Sequence, residues 1–189
     1  MQNAGTTGSY TSISDHYAVL IQSICDISES YHYLGKLGDA LNILKIGEQH
    51  NYKLEASYAA RHLAGIFADK EDPKQGLKFA LESLTLREDI GFKRTLPASH
   101  LLVGMLYYAQ NDLAHALLHY HKALELAEEM ELKSAVMSSL LAIGDIHLSQ
   151  KDVTQAQDHF EKAYALAQEL DIAYGIAEAS EKLEQLSNI

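Results

Sequence analysis

The 189-residue sequence holds one cysteine, Cys25, so no disulfide forms within the chain and a secreted, disulfide-stapled fold is excluded. Its two prolines and eleven glycines are few for a loop-rich all-β protein. No apolar run approaches the roughly 18–20 residues that cross a bilayer. Basic residues are scarce and scattered, 15 Lys and Arg against 26 Asp and Glu, for a formal charge of −11. Nucleic acid and anionic membrane both demand a basic stripe, so neither is expected as a partner. A basic or neutral polypeptide fits better. Residues 1–11 are rich in Asn, Gly, Thr and Ser, with neither the basic residues nor the apolar stretch of a signal peptide. The expectation is a cytoplasmic protein with residues 1–12 as a flexible tail or linker and a single domain over 13–189.

What is present favours helix. Ala, Leu, Glu, Lys and Gln dominate, the residues that lose least on entering one. A repeat then emerges from the small residues. Gly104, Ala116, Tyr120 and Ala123 are matched 40 residues on by Gly144, Ala156, Phe160 and Ala163. Forty residues before the small members stand Ala64, Gly76 and Ser83, and a further step of 36 reaches Ser28, Ala40 and Gly47. Four copies follow, at about 21–56, 57–96, 97–136 and 137–172.

Each copy divides into two helical halves. In the last, Leu140, Leu141, Ile143 and Ile146 mark the first, and Val153, Ala156, Phe160, Ala163 and Ala167 mark the second at helical spacing. Asp72, Asp112 and Asp152 stand ahead of the second helices as N-caps, with Gln75 and Gln155 in capping-box position. Pro73 occupies a first helical position, where its missing N–H is harmless. Residues 173–187 read as one more amphipathic helix, with Ile176, Ala177, Ser180, Leu183 and Leu186 on its apolar face. Glu184 falls where a fifth copy would need a small residue, so this helix is expected to close the stack.

Gly104 and Gly144 in first helices, Ala40, Ala116 and Ala156 in second helices, and the aromatics Tyr31, Phe67, Tyr107, Tyr120 and Phe160 carry a resemblance to tetratricopeptide repeats over about residues 13–188. The 40-residue period is similar to that of the subgroup found in kinesin light chains, spindle-orientation adaptors and bacterial signalling proteins. Departures are Leu44 and Ala80 in place of aromatics, and His147 where a tyrosine is expected. The resemblance implies an all-α, right-handed superhelix of four antiparallel helix pairs and a non-enzymatic interaction scaffold without cofactor.

The resemblance also implies a concave groove lined by the first helices. Copy by copy its positions are Gln22, Cys25 and Glu29; Tyr58, Arg61 and Gly65; Leu101, Met105 and Tyr108; and Leu141, Asp145 and Leu148. The carboxylate clamp of chaperone-tail-binding relatives is missing: its positions hold Cys25, Glu29, His62 and Leu102. The expected ligand is therefore an apolar or amphipathic segment of another protein, with Arg61 as an ion-pair or stacking anchor. The alternative is a regulatory or sensory domain of a bacterial signalling protein, and self-association stays open.

Ten histidines raise metal binding. His115 and His119 have the four-residue spacing of joint zinc ligands, with Asp112 on nearly the same face. Asp112 is already a cap and no Cys or Glu completes the set, so no metal is expected. His159 repeats His119 in what reads as an exposed column, and His147 reads as a hydrogen-bonded packing residue. Neither GxGxxG, GxxxxGK[ST] nor GxSxG occurs, and Glu125, Glu128 and Glu129 make no acid/base pair.

Overall fold

Every regular element among residues 37–187, which this computed structural model describes, is helical. In chain order they are α1 (Leu37–His50), α2 (Lys53–Asp69), α3 (Pro73–Asp89), a 3-10 turn (Lys93–Thr95), α4 (Leu96–Ala109), α5 (Leu113–Glu129), α6 (Lys133–Ser149), α7 (Val153–Glu169) and α8 (Ala173–Ser187). Each helix packs on the next, so α2 with α3, α4 with α5 and α6 with α7 are pairs in a continuous stack. The tail over 1–12, the expected first helix of copy one, and Gln22, Cys25 and Glu29 lie outside the described residues.

The turns repeat as faithfully as the helices. Glu71, Asn111 and Lys151 adopt φ of 56°, 59° and 63°, and Asn51, Gly91, Glu131 and Asp171 lie between 53° and 66°. Each left-handed residue lets the chain reverse while the next N–H reaches back: Asp72 donates to the Phe67 carbonyl at 2.9 Å, Asp112 to Tyr107 at 3.0 Å and Asp152 to His147 at 2.9 Å. Gly91, the two asparagines and Asp171 are of types that favour this region; Glu71, Glu131 and Lys151 are held there by the helices on either side.

The three aspartates then cap the following helix. Their side chains accept from the backbone N–H of Gln75 at 3.1 Å, His115 at 3.2 Å and Gln155 at 3.2 Å. Asp152→Ala should cost about 1 kcal/mol in urea denaturation, while Asp152→Asn, an equally good cap, should stay close to the parent protein.

Within a pair, the aromatic ring of the second helix lies on the glycine of the first. A Cβ on Gly104 would fall 2.5 Å from the Tyr120 ring, and one on Gly144 2.4 Å from that of Phe160. Copy two solves the same crossing differently, with Ala64 against a second helix carrying Ala80, both buried. The lost aromatic is thus matched by a gained methyl on the facing helix, which explains why Ala80 departs from the pattern. Ser83 adds a buried bond from its Oγ to the Ser57 carbonyl at 2.7 Å.

The last helix sits differently from its sequence reading. Gly175, Ala179 and Leu186 are its buried residues, with Ile176 and Leu183 beside them, whereas Ala177 is exposed. Gly175 sets this rotation by admitting the Met137 sulfur, which would lie 2.6 Å from a Cβ.

Candidate partner-binding face

First helices of successive pairs touch directly, α4 with α6 and α6 with α8, while no second helix packs substantially on the next second helix. The stack therefore bends with its first helices inward. The inner face is built on α4, whose Leu96–Ala109 stretch contains no Asp, Glu, Lys or Arg. Val103, Gly104 and Leu106 go to the core, but Met105 and Tyr108 remain 46% and 40% exposed. Large apolar side chains held open on a well-packed helix are the face's most distinctive feature.

Beside Met105 lies an open, largely apolar cleft of about 410 Å³, lined by Ala68, Glu71, Pro73, Met105, Leu106 and Ala109. It occupies the place where the turn between α2 and α3 meets the last turn of α4. Gln110 braces that corner, its Nε2 donating to the Leu106 carbonyl at 3.0 Å and to the Pro73 carbonyl at 3.3 Å.

The other expected groove residues divide by environment. Arg61 is exposed on α2 and Gly65 half-buried. Tyr58 is half-buried: its ring meets Phe92 edge-on at 6.4 Å and lies under the Arg87 guanidinium at 5.3 Å. Leu101 and Leu148 are partly buried against core clusters, and Leu141, 5% exposed, belongs to the core. Leu141 therefore offers no open surface; it is consumed in packing against α7 and α8.

Asp145 holds Lys182 of α8 at 2.6 Å. Burial alone would depress the Lys182 ammonium, but the bond to Asp145 and its charge, aided by Glu178 and Tyr108, hold its pKa above the ordinary lysine value. Tyr120, behind this pair, has its phenol pushed up by burial and by Asp145 and Tyr108. The α8 end of the face is thus closed by a charge pair, and the apolar opening lies toward α4. Lys182 could not have been chosen from sequence, because its partner is 37 residues away and on no repeat of its spacing.

His119 and His159 are less exposed than the sequence suggests, whereas His115 stays exposed. His115 holds Asp112 through Nδ1 and Oδ2 at 2.8 Å, while His119 turns to His100, Nδ1 to Nδ1, at 3.0 Å. The Tyr107 ring stacks on both, 5.0 Å from His115 and 5.6 Å from His119. Among the described residues no three His, Cys, Asp or Glu side chains gather as metal ligands. His159 is half-buried and stacked on His147 at 5.3 Å, which corrects its reading as one of an exposed column. His147 does pack, but its buried Nδ1 has no hydrogen-bond partner and stands 4.0 Å from an Asp152 oxygen.

Two family models, each described as tetratricopeptide repeat, match residues 102–130 and 138–170. No curated protein matches the sequence. Among solved structures, aspartyl phosphate phosphatase F from Bacillus subtilis superposes with a TM-score of 0.76 at 16% identity, over 85% of this chain and 43% of that one. The apo form of RapI gives 0.72 at 21% identity, over 80% of this chain and 57% of the other. BtubC (BKLC) from P. vanneervenii gives 0.72 at 14% identity, over 94% and 81%. At these identities the likeness establishes the fold, and the chain spans less than two thirds of the first two proteins.

Proposed function

This chain is a tetratricopeptide-repeat protein, and we propose that its inner face serves as a non-catalytic docking site for an apolar or amphipathic segment of another protein. The observation that carries the reading is the exposure of Met105 and Tyr108 beside the α4 cleft. One turn apart, they present a methionine and an aromatic ring, side chains that supply contact area at interfaces. The chain's net charge of −11 favours a segment with apolar anchors and neutral or basic flanks, and Arg61, exposed on α2, is an ion-pair or stacking anchor for it.

Peptides selected for binding by display on the folded protein provide the test. Met105→Asp with Tyr108→Asp should weaken the selected peptides at least ~10-fold, since truncating a central anchor removes more than about 1.4 kcal/mol. Both side chains are exposed, so the variant should keep its helical circular dichroism and melting temperature. Undiminished affinity in that folded variant would sink the reading. Leu101 is a poor probe because it also packs on the core.

A second reading, a sensory domain beside a signalling enzyme, draws on the likeness to the aspartyl phosphate phosphatase, of which this chain spans 43%. It requires the superhelix to change pitch when the peptide binds. Small-angle scattering with and without peptide separates the two: an unchanged profile supports the rigid scaffold.

A further inference from the structure

The pairs stack one ring from each helix at a fixed register. In α2 and α3 the rings are Phe67 and Phe79, 5.5 Å apart and 13° from parallel. Forty residues on, Tyr107 stacks on His119, and forty further, His147 stacks on His159. One structural layer thus passes from two hydrocarbon rings, to one imidazole, to two. Other histidines gather around it. His100, only 7% exposed, meets His119; His115 also stacks on Tyr107; and His121 on α5 lies within electrostatic reach of His147 and His159.

We propose that the pair α4–α5, joined by the buried contact between His100 and His119, opens on mild acidification while the phenylalanine-packed pair α2–α3 stays closed. The 3.0 Å contact between His100 and His119 is possible only when one Nδ1 carries a proton and the other is bare. A first added proton places a cation in this buried site, and a second abolishes the bond and leaves two cations in contact.

The surroundings offer little to receive such charge. His100 is faced from α5 by His119 and Lys122, and from α3 Arg87 reaches Ser99, the residue before it. His119 is faced by His115 on its own helix, and His121 by His147 and His159 on α6 and α7. The carboxylates at hand are Asp112 against His115, Asp152 near His147 and Asp158 near His159; the first two already accept the N–H that caps their helix, and Asp158 holds Lys162.

Burial first, then the charge of neighbouring histidines, lowers the pKa of His119 and of His121; burial, then His119 and Lys122, lowers that of His100 to about 4. With the folded pKa below the unfolded one, the opened form binds the proton first. Stability is complete above the unfolded value of about 6.5 and declines as pH falls toward the folded value. At about pH 5, His100 alone shifts the balance toward the open form on the order of 30-fold. Because each pair couples only to its neighbours, the loss is greatest in the pair that holds His100 and His119.

Hydrogen exchange read by mass spectrometry at about pH 7.5 and pH 5, corrected for intrinsic rates, locates the opening. Opening constants in α4–α5 should rise on the order of 30-fold and those in α2–α3 less than ~3-fold. Equal loss in all pairs, or none, would overturn the proposal from the parent protein alone. His100→Asn, which keeps a hydrogen-bonding atom near the Nδ1 position, should remove most of the acid sensitivity from α4–α5. Unchanged acid sensitivity of α4–α5 in the folded His100→Asn protein also overturns it.

Discussion

Phe160→Ala should lower stability by about 3–5 kcal/mol, a loss measured by urea denaturation and large against the roughly 5–15 kcal/mol that holds a domain folded. The ring is fully buried between Ala156 and Ala163 on its own helix and Gly144 on α6. Removing it leaves a cavity that the glycine cannot fill, and the helices are too well fixed by Met137, Leu140 and Ala179 to collapse into it. The reciprocal change makes the geometry explicit. Gly144→Ala would gain about 1 kcal/mol from helix propensity alone. Its new methyl would lie 2.4 Å from the Phe160 ring, so overpacking of about 1–3 kcal/mol wins. Gly144→Ala combined with Phe160→Ala should therefore be less damaging than the two single effects added, because it reproduces the Ala64–Ala80 crossing of copy two.

Arg87→Ala should cost about 2–4 kcal/mol, whereas Arg87→Met should fall within about 1 kcal/mol of the parent protein. Arg87 is buried at the junction of α3 and α4, where its guanidinium donates to the Ser99 hydroxyl at 2.7 Å and covers the Tyr58 ring. Truncation removes its packing stem and the bond to Ser99 together. Methionine restores most of the volume and avoids burying a cation, so the lost hydrogen bond is largely offset. Melting temperatures of the two variants test this directly. If both fall alike, the charge matters more than the stem. Tyr58 links this junction to α2, so the expected groove residue also braces copy two internally, against Arg87 and Phe92.

The repeat was legible because close helix crossings demand small residues, and small residues recur visibly: Gly104 and Gly144 needed no structure to be found. The capping aspartates were legible for the same kind of local reason, three residues separating each from its N–H donor. What stayed hidden depended on facing partners. Leu141 reads like Leu101 in sequence, yet α8 covers one and leaves the other half-buried. Asp145 reads as a groove residue until Lys182 arrives from 37 residues away. His100 gave no signal at all, since nothing in a single helix announces that it will meet His119. The apparent aromatic gap at Ala80 was a compensation across two helices, which no single-helix pattern contains. Met105 and Tyr108 kept their expected exposure because no later helix crosses them.

The left-handed turn residues have a consequence for how such a chain can change length. Glu71, Asn111 and Lys151 lie 40 residues apart, as do Asn51, Gly91, Glu131 and Asp171, so cap, reversal and crossing all return at one interval. A cut at any of these reversals can be rejoined to another of its series, and the seam is one that already exists in the molecule. Whole modules can be excised or duplicated without inventing an interface. Shorter edits would break the phase of everything downstream.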